Sequence, residues 1–162
     1  MYGILESKAD LYHLQCQLLR KWPTVIQISL CLPGGYSIYP YKALFSSAVE
    51  VAKVDLMEFG VRIEQETCVE TAIGPVCLLA TRTNGRAIKM RMVSVEENAH
   101  WGRLWDIDVI TTEGPIDRTT LGLSPRKCLV CNESAHICRK LGAHTLDKVV
   151  LGARRILDRW QP

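Results

Sequence analysis

Two aspartates, Asp106 and Asp108, stand two residues apart in a segment whose other side chains are mostly apolar. If this segment is a strand, both carboxylates lie on one face, with Cα atoms about 6.6 Å apart. At that separation both can reach one or two divalent cations, and Mg²⁺ is commonly held by a few carboxylates together with substrate phosphates. The alternative is an ordinary solvated strand face, polar outside and apolar inside.

Several cations accompany this pair in the sequence. Arg103 lies three residues before Asp106, and Lys89 and Arg91 lie on the strand that we predict before the aspartates. Their charges could meet phosphate oxygens. Each one taken singly is also typical of a solvated surface charge.

A second group of chemically active residues follows in the last third of the chain. Cys128, Cys131, Cys138 and His144 have the spacing C-x2-C-x6-C-x5-H. Three thiols and one imidazole complete the ligands of a closed, structural zinc site. His136 is a competing ligand, and buried reduced cysteines without metal are the alternative.

The first half of the chain predicts alternating helices and strands. A helix beginning near Ser7 should end before Trp22-Pro23, because proline disfavours helical geometry in the preceding residue. Apolar and polar residues alternate over residues 24–32, as in a half-buried strand that ends in the turn Pro33-Gly34-Gly35. Backbone amides at Gly34 could approach a phosphate, although a simple turn is the alternative. Pro40 can open a second helix that ends at Gly60.

The second half predicts further strands and a helical end. Strands over residues 61–69 and 76–81 flank Gly74-Pro75, and Asn84-Gly85 reads as a hairpin turn leading into a strand over 86–96. Another strand covers 104–112, and the cysteine-bearing tail 124–162 ends in an amphipathic helix. We therefore expect one α+β domain over residues 1–162, with a mixed or antiparallel sheet flanked by helices.

The composition narrows the class of protein. A net charge of +3 is too small to indicate a nucleic-acid binder. No apolar run approaches the roughly 20 residues that cross a bilayer, and no signal peptide is evident, so we expect a cytoplasmic protein without a membrane partner. Seven cysteines in such a chain favour reduced thiols or metal ligands over a disulfide framework.

Two motifs together resemble a known family. The chain resembles the holo-acyl-carrier-protein synthases of citrate lyase in two places. The first is residues 102–109, followed by Glu113-Gly114. The second is residues 126–131, followed by Cys138 and His144. Weaker similarity covers most of the chain, including Gln15, Pro33-Gly34, Phe45 and Lys89.

This resemblance implies a reaction. Such enzymes transfer the phosphoribosyl-dephospho-CoA group of 2′-(5″-triphosphoribosyl)-3′-dephospho-CoA to a serine of the acyl carrier (γ) subunit of citrate lyase, and pyrophosphate leaves. That is nucleotidyltransferase chemistry and implies a nucleotidyltransferase-like fold. For such a reaction we expect Asp106 and Asp108 to bind Mg²⁺, and Lys89 and Arg103 to contact the triphosphate. Glu113 is a candidate third catalytic carboxylate, with an ordinary turn acid as the alternative. Arg126 is a candidate contact to the phosphorylated substrate, or else only leads into the cysteine group.

The sequence also departs from the family pattern. Ser37, Ile38 and Tyr39 stand where a basic residue is expected after the Pro-Gly turn, and Leu11 and Tyr12 stand where arginines are expected. Ala99-His100-Trp101 replaces a His-Pro-Leu approach, and the small Gly-Ser signature of polymerase-like nucleotidyltransferases is absent.

Two other functions remain open from the sequence. One is a non-catalytic interaction module stabilised by zinc, with the acidic strand merely solvated. The other is a metal-dependent phosphohydrolase, in which the same aspartates bind the metal and water is the nucleophile. A hydrolase would consume the triphosphate precursor with no carrier protein present.

Overall fold

A computed structural model describes residues 2–72 and 74–160 of the chain. The α-helices are α1 (Tyr2–Leu19), α2 (Tyr41–Glu58), α3 (Gly85–Asn98), α4 (Ala135–Leu141) and α5 (Leu146–Leu157). The strands are β1 (Thr24–Leu30), β2 (Ile63–Thr71), β3 (Gly74–Thr81), β4 (Trp105–Thr111) and β5 (Gly114–Pro115). This is the predicted α+β class.

The strands form one antiparallel sheet in the order β2-β3-β1-β4-β5. β1 lies at its centre, where Ile28 pairs with Cys77 of β3 and with Ile107 of β4. The short β5 pairs only with the last residues of β4, Ile110 and Thr111. Most of the outer edge of β4 therefore has no neighbouring strand.

Helices cover both faces of the sheet. The larger core lies on the face that packs against α2, α3 and α5, and includes Ile28, Leu44, Met92, Ile107 and Ala153, all buried. The smaller core lies on the opposite face, where Leu18 of α1 packs with Val25, Leu78 and Ala80. Side chains alternate between these faces along β1 and β4, as the sequence predicted for both segments.

The segment 86–96 is helical, so the prediction of a strand there is wrong. Asn84 does not form a hairpin turn: its side chain accepts hydrogen bonds from the N–H groups of Arg86 and Ala87 and caps α3. Asparagine is a favoured cap because its oxygen satisfies amide groups that the first helical turn leaves unpaired. Lys89 and Arg91 consequently lie on a helix.

Two of the seven cysteines correct the expectation of reduced thiols throughout. Cys68 of β2 and Cys77 of β3 are directly opposite in the register of the two strands and form a disulfide. Cys16, Cys31, Cys128, Cys131 and Cys138 are free.

α1 begins at Tyr2, so the prediction of a start near Ser7 is wrong; residues 2–6 contain no proline that would keep the helix from extending toward the N-terminus. The other boundaries agree closely with the sequence. α1 ends before Trp22-Pro23, and Pro40 is the residue immediately before α2. Gly60, just after the end of α2, takes a positive φ of 78°. Within the described residues, no helix combines the length and apolar character needed to span a bilayer.

Candidate functional site

Asp106 and Asp108 project from β4 on the face opposite the larger core. Their neighbours Trp105, Ile107 and Val109 are buried in that core, so the alternation of the strand directs both carboxylates the other way. Their side chains are about half exposed, at 51% and 48%. Cross-strand partners on β1 are Ser29 for Asp106 and Gln27 for Asp108.

Side chains take the place of a neighbouring strand along the outer edge of β4. The N–H of Ile107 donates to Glu96 Oε1 at 3.0 Å, and its carbonyl accepts from Lys89 Nζ at 2.7 Å. Arg126 donates to the carbonyl of Trp105. Buried backbone groups need such partners, and here ionisable residues provide them. This requirement brings three charged side chains next to the aspartates.

Each aspartate has one cation nearby. Lys89 Nζ lies 4.0 Å from Asp108 Oδ1, and Arg126 Nη1 lies 3.8 Å from Asp106 Oδ1. Burial is the main cause that raises the pKa of Asp108, and the negative charge of Asp106 raises it further. The positive charges of Lys89 and Arg126 lower the pKa, but by less than this increase. The net effect is a raised pKa, so the two cations do not fully offset the cost of holding the Asp108 charge here.

Glu96 is the buried centre of the charged group, and sequence reasoning missed it. Its side chain is only 3% exposed, and it accepts from Arg118 Nη2 at 2.7 Å, from Arg126 Nη2 and from the N–H of Ile107. The signal was present in the sequence. Ile88, Met92 and Val95 recur with helical spacing, and Glu96 lies on that same buried face of α3.

A cleft of about 700 Å³ opens between α1 and the strand that carries the aspartates. Asp108 lines it together with Gln27 of β1 and with Gln15 and Arg20 of α1. Gln15 Nε2 donates to Gln27 Oε1 at 2.6 Å across the cleft floor. The exposed Arg20 forms no ion pair with any carboxylate in the described ranges, so its charge is free to meet a ligand.

The structure places Glu113 away from Asp108. It occupies the turn between β4 and β5, where its N–H donates to Thr111 Oγ1 at 3.3 Å. Its side chain is exposed and lines a different cleft, of about 530 Å³, beside Arg82 and Arg86.

Gly34 and Arg103, two predicted substrate contacts, both contact other parts of the chain. Gly34 has a φ of +82°, and a Cβ there would be 3.0 Å from Val150 Cγ2 of α5, so a glycine suits both the turn and the packing. Arg103 Nη2 donates to the carbonyls of Lys127 and Cys128. Burial lowers the pKa of Arg103, and the charge of Arg126 lowers it further.

The four predicted zinc ligands come together. The ligand atoms of Cys128, Cys131, Cys138 and His144 all lie within 4.8 Å of one another. Burial together with the neighbouring thiols of Cys131 and Cys128 raises the pKa of Cys138 to about 12. Burial raises the pKa of Cys128 as well, but hydrogen bonds from the N–H groups of Val130 and Cys131 and from the thiols of Cys138 and Cys131 together lower it more, so its net shift is downward. The competing ligand His136 is not part of the group.

Comparison with known proteins adds three findings. The family described as apo-citrate lyase phosphoribosyl-dephospho-CoA transferase matches residues 1–160. A protein of that name from Escherichia coli O7:K1 is 34% identical over 118 residues, which cover 72% of this chain and 64% of the relative. Protein CitXG from Haemophilus influenzae is 30% identical over 153 residues, covering 91% of this chain and 32% of the relative. The chain thus spans less than two thirds of either relative.

Proposed function

The chain belongs to the apo-citrate lyase phosphoribosyl-dephospho-CoA transferase family, and from this membership we propose that it attaches the phosphoribosyl-dephospho-CoA group to the acyl carrier subunit of citrate lyase. The donor in this proposal is 2′-(5″-triphosphoribosyl)-3′-dephospho-CoA. Enzyme, donor and carrier meet in the cytoplasm.

The proposed chemistry is that of a nucleotidyltransferase. The hydroxyl oxygen of a carrier serine attacks the α-phosphorus of the donor, and a phosphodiester bond forms. The bond between that phosphorus and the bridging oxygen breaks, pyrophosphate leaves with the electron pair, and the serine proton passes to solvent or to a base.

Asp106 and Asp108 are the proposed Mg²⁺ ligands, and their surroundings fit that ion. Carboxylate oxygens are the hard donors that Mg²⁺ prefers. Both side chains are half exposed, and the raised pKa of Asp108 indicates that an additional cation would stabilise its charged form. A bound Mg²⁺ would supply charge neutralisation for the triphosphate as pyrophosphate departs.

Lys89 and Arg126 have a positioning role in this proposal. Lys89 is 6% exposed and is fixed on the carbonyl of Ile107, while Arg126 is fixed on Trp105 and Glu96. Side chains tied in this way hold the aspartates in place and partly neutralise them. Among the described residues that line the cleft with Asp108, Arg20 is the cation without an ion pair to a carboxylate, and it is the proposed contact to a phosphate.

Family membership is the finding on which the proposed transfer depends most, and the paired carboxylates beside the cleft that contains Arg20 support metal-dependent chemistry on a phosphorylated substrate. A zinc-stabilised interaction module would not need a carboxylate pair of this kind beside a cleft. A phosphohydrolase would need it too, so the two reactions must be separated by experiment.

Measuring pyrophosphate release with and without the carrier protein distinguishes the transferase from the hydrolase. We expect release to require both Mg²⁺ and the apo carrier protein, and to stop when the carrier serine is replaced by alanine. Release at an equal rate without any carrier would instead establish hydrolysis of the donor. No release under any of these conditions, with a control enzyme active in parallel, would refute both reactions.

A further inference from the structure

The group formed by Cys128, Cys131, Cys138 and His144 has dimensions close to those of a tetrahedral metal site. Cys131 Sγ lies 3.5 Å from Cys138 Sγ and 3.3 Å from His144 Nε2. In a tetrahedral zinc site with Zn–S bonds of about 2.3 Å, neighbouring sulfurs are about 3.8 Å apart. The separations of the ligand atoms, all within 4.8 Å, leave room for one ion at their centre.

The local backbone is built to bring these four side chains together. Residues 126–135 form a tight reversal in which Cys128 N–H donates to the carbonyl of Glu133, and Ala135 N–H donates to the carbonyl of Arg126. Cys138 follows on α4. Gly142 then ends this helix in the left-handed conformation, which reverses the chain so that His144 approaches Cys131.

The chemistry of these donors selects the metal. Three thiolates and an imidazole are soft or borderline ligands, which favour zinc over Mg²⁺ or Ca²⁺. Cys131 and Cys138 are not bonded to each other, since 3.5 Å far exceeds the roughly 2.05 Å of a disulfide. Four protein ligands would leave no position open for a substrate, so the ion would have a structural role.

Contacts outside the group show what such an ion would hold in place. Arg103 clamps the reversal through the carbonyls of Lys127 and Cys128. A Cβ at Gly152 of α5 would be 2.7 Å from the carbonyl of Leu129, so α5 packs directly on the same segment. This segment begins at Arg126, the residue that reaches Glu96 and Asp106.

From these observations we propose that Cys128, Cys131, Cys138 and His144 bind one structural Zn²⁺, which fixes residues 126–144 against β4 and α5. The site is separate from the proposed Mg²⁺ ligands. Its metal content can be measured without any transferase assay, so its failure would not be confused with failure of the proposed function.

Metal analysis tests the site directly. The full chain, purified anaerobically with zinc in the medium, should contain about one zinc per molecule. Cys131→Ser should lose at least nine tenths of it, whereas Cys31→Ser, which alters a free cysteine outside the group, should retain it. The proposal would be overturned if the unaltered chain contained as little zinc as Cys131→Ser does. A Cys131–Cys138 disulfide in the anaerobic protein would also overturn it.

Two measurements on the unaltered chain keep the test independent of how the variant folds. Co²⁺ added to metal-free protein should give the thiolate charge-transfer and tetrahedral ligand-field bands, saturating at one equivalent, and the absence of these bands would overturn the site. Removal of the metal should accelerate amide hydrogen exchange at least tenfold in residues 126–144 and leave β3 unchanged. Unchanged exchange in 126–144 would refute the structural role.

Discussion

The two aspartates of β4 carry their charges with incomplete compensation. Lys89 and Arg126 each approach one carboxylate to about 4 Å, yet both cations also serve as donors to the backbone of the same strand. Their charge is therefore shared among several acceptors. The raised pKa of Asp108 follows from burial and from Asp106, which together outweigh the two cations. This is the electrostatic condition in which a divalent cation binds favourably.

Replacing either aspartate should remove most of the activity. Asp106→Asn and Asp108→Asn keep the size of the side chain and remove a metal ligand, and we expect transfer to fall roughly a thousandfold, because metal stabilisation of the transition state amounts to several kcal/mol. Steady-state pyrophosphate release measures this loss. Asp147→Asn, which alters an exposed aspartate on α5, is the matched control. Near-normal transfer by both β4 variants would exclude them as the metal ligands.

Arg20 should affect binding of the donor more than the rate of the chemical step. Arg20→Ala removes the unpaired cation of the cleft, and we expect KM for the donor to rise about tenfold while kcat changes little, since a charge-assisted hydrogen bond to phosphate is lost. Arg20→Lys should recover part of the affinity. Arg62→Ala, at a highly exposed arginine that directly precedes the edge strand β2 and does not line the cleft, serves for comparison. An unchanged KM in Arg20→Ala would place the triphosphate elsewhere.

At the scale of elements, the unpaired edge of β4 explains why α3 carries buried charge. The helix supplies Lys89 and Glu96 to the carbonyl and amide of Ile107, and Glu96 in turn holds Arg118 and Arg126. A buried carboxylate with two arginine partners contributes little net stability as a unit. Removing its charge leaves Arg118 and Arg126 with only the more exposed Glu97 and Asp106 as counterions, which is costly for two largely buried guanidinium groups.

Glu96→Gln should therefore destabilise the fold strongly. We expect the free energy of unfolding to fall by about 3 kcal/mol, measured by urea denaturation. Glu97→Gln is a matched control, because Glu97 is the next residue, binds the same Arg118 and is 61% exposed. Surface ion pairs of that kind contribute about 0–1 kcal/mol. Equal losses in the two variants would contradict the central position of Glu96.

The same helix shows where sequence reasoning about elements succeeds and fails. Ile88, Met90 and Met92 alternate as in a strand, while Ile88, Met92 and Val95 also recur as in a helix, so both patterns fit. The exposure of Met90, at 56%, against complete burial of Ile88 and Met92 decides for the helix. By contrast, β4 was predictable, because paired aspartates between apolar residues fit a half-buried strand and break a helical stripe.

At the scale of the whole molecule, distant parts of the chain converge on one strand. Sequence spacing identified Asp106 and Asp108, and it identified the four members of the cysteine and histidine group, since each set is local in sequence. It could not place Arg126 beside Asp106 or Arg20 in the same cleft as Asp108, because those positions depend on how the tail and α1 pack around the sheet. Nor could it reveal that Cys68 and Cys77 face each other across β2 and β3.

The whole-molecule reaction is tested most directly by the intact mass of the carrier protein. The unaltered chain, incubated with Mg²⁺, the triphosphoribosyl donor and apo carrier subunit, should raise the mass of the carrier by that of one phosphoribosyl-dephospho-CoA group, and the added mass should map to one serine. A carrier mass that stays unchanged, while a related enzyme modifies the same preparation in parallel, would contradict the proposed function.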